Sequence, residues 1–240
     1  MRKPKAILFD FGGTLAIDSE FDFKRGAKAL KNAALNGEVV STEKLNDIWD
    51  ELYRGINTAF NHDAPFGLET PLSCMFRYLF DVSGLKFDKD LLELECIFDS
   101  NNSDRTRAKH MKELLQYIKE SGIKTAVISN ITLSGKALRR AIEKIYPDNP
   151  FEFVITSADY CLLKPAPHMF IAAAKRLSVA PEDCFYCGDS FEADVKGAKS
   201  AGYFPVLYDT SASEKSVFMD DGEYLKINSW NVLKELLSEV

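Results

Sequence analysis

Four short stretches bring together residue types that can handle an anion beside a metal. Asp10-Phe11-Gly12-Gly13-Thr14 ends one apolar run and Ser129-Asn130 ends a second. Lys164-Pro165 precedes a helical pattern, and Gly188-Asp189-Ser190 ends a third run, with Asp194 five residues past Asp189. A carboxylate flush against a buried strand is costly unless a cation neutralises it. Asp10 and Asp189 are such acids, and two carboxylates with backbone oxygens nearby make the hard oxygen site that Mg2+ prefers. Ser129 and Lys164 add a hydroxyl and a fixed positive charge suited to a phosphoryl group, and the glycines let backbone N–H groups approach it. Taken singly, Ser129-Asn130 also reads as a helix cap, Lys164-Pro165 as a turn and Asp194 as an exposed helix residue. Gly13, Gly197 and Gly202 read as backbone devices.

These groups can meet only if the strand ends converge. Strand-like apolar runs lie at 5–11, 124–129, 152–156, 184–187 and 203–208, with a weaker one at 225–228. Helical patterns at 105–121, 133–146, 167–178, 191–201 and 229–239 alternate with the later ones. That alternation predicts an α/β fold with a doubly wound, Rossmann-like parallel sheet and a ligand crevice at the carboxyl ends of the strands.

More than a hundred residues separate the first two runs, and they are not loop-like. Helical patterns at 20–35, 43–60, 70–82 and 88–99 are divided by turn signals at Asn36-Gly37, His62 to Gly67 and Ser83-Gly84. In the second pattern Leu45, Ile48, Trp49, Leu52, Tyr53 and Ile56 share one face, as packing residues do. The expected organisation is a core of residues 1–16 and 104–240 with a helical cap at 17–103. Trp49, Tyr53, Arg54, Phe60 and His62 are the cap side chains that could reach the crevice, although their spacing fits packing equally well.

The bulk properties exclude several classes of function. A chain of 240 residues with 46% hydrophobic and 28% charged residues is ordinary for a soluble globular protein. A net charge of −6 and a pI near 5.2 argue against a nucleic-acid surface, and the basic stretch Lys136, Arg139, Arg140, Lys144 reads as a solvated helix face. No apolar stretch approaches a membrane span, and the N-terminal run is too short for a signal peptide, so a cytoplasmic protein without membrane partners is expected. Five cysteines without framework spacing predict no disulfides. Cys184-Phe-Tyr-Cys187 reads as a buried strand rather than a redox pair at a helix start. Three scattered histidines cannot build a zinc cage, and His168 reads as a helix-start surface residue.

With its motifs in order as DFGGTL, ISN, LLKPAPHMF and GDSFEADVKGAKSAG, and a helical insert between the first and second, the chain resembles the haloacid dehalogenase-like hydrolases over its full length. The superfamily consists largely of phosphatases, so the resemblance implies a Mg2+-dependent phosphatase acting on a small phosphorylated metabolite. It implies that Asp10 is a nucleophile forming an aspartyl-phosphate and that Asp10, the Gly12 main-chain carbonyl and Asp189 bind Mg2+. Asp194 would ligate the metal through water or orient the site. Ser129 and Lys164 would hold the phosphoryl group, Lys164 steadying Asp10 as an anion, with Asn130 completing the pocket through its backbone.

Gly12 departs from the family pattern, in which phosphatases carry a second aspartate two residues after the nucleophile as general acid and base. A positioned acid or base contributes about 10²–10⁴-fold, so its loss slows such a site without abolishing it. Three readings follow. The first is a slowed phosphatase, or one borrowing an acid from Asp18, Glu20 or Asp22. The second is a branch cleaving carbon–phosphorus or carbon–halogen bonds. Dehalogenases generally dispense with the metal acids, which are retained here as Asp189 and Asp194, and the phosphonate branch needs a reactive cap lysine such as Lys24, Lys28, Lys31 or Lys44. The third is a protein that binds Mg2+ and a phosphorylated ligand without turnover.

Overall fold

A computed structural model describes residues 3–59, 66–212, 216–219 and 222–239. Phe60 and His62, and the turn signal at 62–67 as far as residue 65, lie outside the described residues. The chain begins with β1 (Ala6–Phe9) and β2 (Ala16–Asp18), followed by four helices, α1 (Phe23–Ala33), α2 (Thr42–Ala59), α3 (Leu72–Ser83) and α4 (Leu91–Asn102). Then come β3 (Arg105–Arg107), α5 (Met111–Glu120), β4 (Lys124–Ser129), α6 (Gly135–Ile145), β5 (Val154–Thr156), α7 (Ser157–Tyr160) and α8 (His168–Leu177). The last part holds β6 (Cys184–Gly188), α9 (Lys196–Ser200), β7 (Phe204–Tyr208), β8 (Ser216–Met219), β9 (Tyr224–Ile227) and α10 (Trp230–Ser238).

Seven strands form one sheet in the order β5-β4-β1-β6-β7-β9-β8, parallel except for the β8–β9 pair. β1 is buried on both faces, as a central parallel strand must be. Ile7 and Phe9 pack with Met111, Leu138 and Trp230 of α5, α6 and α10, while Ala6 and Leu8 pack with Met169, Phe170 and Ala198 of α8 and α9. The chain runs from β1 to β4 and β5 on one side and then crosses back to β6 on the other side of β1. Phe9 is level with both Val127 and Cys187, so Asp10, the end of β4 and the end of β6 emerge beside one another at this switch point.

The helices α1–α4 build a core of their own from Phe23, Leu30, Leu45, Ile48, Phe76 and Phe98, which runs on to Leu133 and Ala137 at the start of α6. Trp49 stacks on Phe23 at 4.5 Å between ring centroids, so it packs within this helical core. Tyr53 is exposed, and the Arg54 Nε donates to the Asp50 carbonyl one turn back. Glu95 of α4 is 2% exposed and accepts from the Ser134 hydroxyl, the N-cap of α6, at 2.5 Å. The loop before α3 is also fastened to the sheet side. Leu163 N donates to Gly67 O at 3.0 Å and Glu69 N donates to Cys161 O at 3.2 Å, making an antiparallel bridge between Leu68 and Leu162.

Three readings of the sequence need correction. The pattern 105–121 is not one helix: Arg105–Arg107 pairs with β2 as a two-stranded antiparallel ribbon, and α5 starts only after His110, whose φ of 64° breaks the helical path. Arg105 fixes that ribbon by ion pairs to Asp18 at 2.6 Å and Asp99 at 2.9 Å. The pattern 191–201 divides into a π-turn at Phe191–Val195 and the short α9. β8 carried no signal in the sequence, and it is held by its antiparallel partner β9.

Candidate active site

Lys164 sits at the centre of the converging strand ends. Its Nζ lies 2.6 Å from Asp194 Oδ1 and 2.9 Å from Asp10 Oδ1, with the lysine side chain only 1% exposed. Burial pulls the ammonium's pKa down, but Asp10 and Asp194 outweigh it and hold it above the ordinary lysine value. The Asn130 side chain fixes the backbone beneath: Lys164 N donates to Oδ1 at 2.7 Å, and Nδ2 donates to Lys164 O at 3.1 Å. The Asn130 side chain thus braces Lys164, a contact separate from the backbone role at the phosphate that the sequence reading expects.

Asp10 follows directly on β1, anchored by its N–H to the Cys187 carbonyl at 2.9 Å. Burial pushes its carboxyl up to about 6, against the pull of Lys164 and with the repulsion of Asp194 adding to the shift. Its Oδ1 is paired with Lys164 by charge and distance yet receives no well-directed hydrogen bond. Asp189 is raised for the same first reason, burial, and then by Asp194; the Thr14 hydroxyl donates to its Oδ1 at 3.3 Å. Asp194 is not an exposed helix residue: it is 1% exposed, and Ser190 N donates to its Oδ2 at 2.9 Å. Ligand oxygens of Asp10, Asp189 and Asp194 all lie within 4.8 Å of one another.

Two glycines make this crowding possible. At Gly13 the φ is 69° and a Cβ would stand 2.2 Å from Asp189 Oδ2, while at Gly188 it would stand 2.2 Å from Asp194 Oδ2. Gly12 is the opposite case, since a Cβ there meets nothing within 4 Å. Ser129 ends β4, 2% exposed, and its hydroxyl makes no hydrogen bond to another described residue.

The structure thus brings Asp10, Lys164, Asp189 and Asp194 into contact or near-contact, with Ser129 and Asn130 on the adjoining strand end. The substitutes considered for the missing acid are otherwise engaged or solvated. Asp18 pairs with Arg105, Asp22 caps α1 by accepting from Lys24 N and Arg25 N, and Glu20 is exposed. Lys24, Lys28 and Lys44 are exposed and Lys31 is half-buried, none paired with the carboxylate cluster among the described residues. Cys184 and Cys187 are buried free thiols, the former pushed up to about 12 by burial, which suits packing and not redox chemistry. Thr14 lies in the first motif with no role assigned from the sequence and Tyr186 lies in an apolar run, and their hydroxyl contacts with Asp189 and Lys164 mark them.

The carboxylate cluster fits a divalent cation. Three carboxylates face one ammonium, an excess of two negative charges, and two of the three acids are pushed up by burial when nothing else neutralises them. Hard oxygen donors of this kind are what Mg2+ takes.

A family model described as haloacid dehalogenase-like hydrolase matches residues 4–202, and the chain belongs to that family of hydrolases. The glyceraldehyde 3-phosphate phosphatase of Methanocaldococcus jannaschii is 25% identical over 98% of this chain and 98% of its own. The ribulose-1,5-bisphosphate 5-phosphatase of Halopiger xanaduensis is 31% identical over 42% of this chain, which spans only 41% of that relative. Among solved structures, a HAD phosphatase from Thermococcus onnurineus has a TM-score of 0.57 and 20% identity, covering 97% of both chains. A 2-haloacid dehalogenase from Pseudomonas syringae has a TM-score of 0.58 and 20% identity, covering 98% of this chain and 99% of its own. That likeness is one of fold and is shared by enzymes of different chemistry. Among the described residues no helix is long and apolar enough to cross a membrane.

Proposed function

We propose that this protein is a Mg2+-dependent phosphatase acting on a small phosphorylated metabolite, with residues 17–103 as a cap over the site. The observation that carries the reading is the excess of two negative charges where Asp10, Asp189 and Asp194 face Lys164. It argues for a divalent cation and a phosphoryl group rather than halide displacement, which needs no such set of acids. Asp10, Asp189 and the Gly12 carbonyl are the groups that would hold Mg2+, with Asp194, both of whose oxygens are already engaged, acting through water. Bound there, the ion would offset phosphoryl charge and polarise its oxygens.

The chain's own groups divide the work. Asp10 attacks phosphorus and the bond to the leaving oxygen breaks, giving an aspartyl-phosphate that water then cleaves to inorganic phosphate. The Lys164 ammonium opposes the negative charge on Asp10 and on the transferring group, and the Ser129 hydroxyl donates to a phosphoryl oxygen. Gly12 supplies no proton, so leaving groups that depart without protonation react best. Because its relatives include proteins named glyceraldehyde 3-phosphate phosphatase and ribulose-1,5-bisphosphate 5-phosphatase, short sugar phosphates head the candidate substrates.

The test is a panel of phosphorylated metabolites and aryl phosphates with Mg2+ or with chelator, run beside Asp10→Asn. Mg2+-dependent phosphate release by the wild type and none by Asp10→Asn is expected; equal release by both overturns the reading. Gly12 favours one second reading, binding of Mg2+ and a phosphorylated ligand without turnover, which ligand-dependent thermal stabilisation with no phosphate release would support.

A further inference from the structure

Tyr186 lies on β6 with no solvent exposure, packed in the same layer as Leu8, Ile128 and Phe170. A phenol in an apolar layer is costly unless its hydroxyl is satisfied. Here it donates to the Ile128 carbonyl at 2.8 Å and accepts from Lys164 Nζ at 2.9 Å. A phenylalanine would fill the same space, so packing alone leaves the hydroxyl without a reason. Burial keeps the phenol neutral by pushing its pKa well up.

The arrangement around Lys164 supplies the reason. A lysine ammonium has three N–H donors. Around Nζ stand Asp194 Oδ1 at 2.6 Å, Asp10 Oδ1 at 2.9 Å, the Tyr186 hydroxyl at 2.9 Å and Ile128 O at 3.4 Å. The last and most distant of these is a long hydrogen bond to an oxygen that accepts its shorter bond from Tyr186. The phenol therefore gives the ammonium an acceptor on its inner side and competes for the main-chain carbonyl, which holds the ammonium only by a long second bond.

We infer that Tyr186 is a positioning residue, whose hydroxyl keeps the Lys164 ammonium close to Asp10 and Asp194 and only weakly bonded to the Ile128 carbonyl. The effect on Lys164 is independent of the reaction; its kinetic consequence rests on the phosphatase reading. With the hydroxyl gone, Ile128 O loses its shorter donor and the long 3.4 Å bond from Lys164 Nζ tightens, drawing the ammonium away from Asp10. Substrate binding through the cap is untouched, so the loss falls on kcat and not on KM.

The test compares Tyr186→Phe with Tyr203→Phe. Tyr203 belongs to the same apolar layer and its hydroxyl donates to Phe170 O at 2.8 Å, out of reach of Lys164, so it controls for losing a buried hydroxyl bond. Crystal structures of both variants with Mg2+ show Lys164 displaced onto Ile128 O in Tyr186→Phe alone. On an aryl phosphate, Tyr186→Phe loses at least tenfold in kcat with KM within twofold, while Tyr203→Phe keeps kcat within twofold. Lys164 unmoved in Tyr186→Phe overturns the inference whatever the activity. Lys164 displaced with kcat unchanged, or an equal loss of kcat in Tyr203→Phe, overturns its catalytic consequence. Displacement of Lys164 in a protein whose wild type releases no phosphate supports the positioning role and refutes the phosphatase reading separately.

Discussion

The Asn130 side chain accepts from the Lys164 N–H at 2.7 Å and donates to the Lys164 carbonyl at 3.1 Å, so one amide clasps both polar groups of a residue 34 positions later. Removing it leaves two backbone groups unpaired at the root of the buried ammonium. Each unsatisfied buried group costs about 1–3 kcal/mol. Asn130→Ala is expected to lower stability by about 2 kcal/mol and kcat by about tenfold or more, read by denaturant unfolding and phosphate release. Wild-type kcat in this variant would mean that Lys164 needs no support from β4.

Gly12 stands two residues after Asp10, the proposed nucleophile, with open space where a Cβ would go and without a positive φ to strain a side chain. Gly12→Asp is therefore expected to fold normally and to hydrolyse alkyl phosphates at least about tenfold faster than wild type, within the range a general acid supplies. Aryl phosphates should gain less, because their leaving group departs without a proton. No gain on alkyl phosphates would show that proton transfer is not what limits turnover.

Metal binding and pH are linked through Asp10. Its carboxyl is raised from 3.8 to about 6 in the folded protein, so in the metal-free protein it contributes stability that is full below pH 4 and is lost as pH rises through 6. Mg2+ needs the ionised carboxylate and competes with that proton. The gain in Tm on adding Mg2+ should be small at pH 5 and larger at pH 7.5, and absent in Asp10→Asn. An equal gain at both pH values would remove Asp10 from the ligand set.

Glu95 links α4 to the first turn of α6 through Ser134, whose own hydroxyl caps that helix by accepting from Ala137 N. Glu95→Ala leaves the half-buried Ser134 hydroxyl without its acceptor and Ser134→Ala leaves the buried Glu95 carboxylate with only the long Ser134 N–H bond at 3.4 Å, so each should cost about 1–3 kcal/mol. Because both act on one contact, the double variant is expected to cost less than the sum. Strict additivity of the unfolding free energies would show that the pair does not couple the helical segment to the core.

The sheet and most of the site could be read from the sequence because strong local signals coincide there. The runs ending at Phe9, Ser129 and Gly188 are apolar until a polar stop, and those stops meet in the candidate site. What escaped reading depends on distant partners. Arg105–Arg107 has no apolar pattern and becomes a strand only through β2 and the ion pairs of Arg105. Asn130 reaches Lys164 by a side chain whose partner no local pattern reveals. Tyr186 was counted as one more apolar residue in CFYC, since a buried hydroxyl looks like core until the lysine beside it is placed. Asp194 is expected in the metal site from its motif, while its deep burial shows only in the fold, where Gly188 leaves room for its carboxylate.

The bridge between Gly67–Glu69 and Cys161–Leu163 ends one residue before Lys164. A segment of the helical insert and the site's only buried cation among the described residues are thus neighbours along one short ladder. Swapping the insert for that of a relative would replace one rail of this ladder and leave the other behind. A working chimaera should need residues 161–163 exchanged together with the insert, and variation in substrate range across the family would then travel as a paired change in two separate parts of the gene.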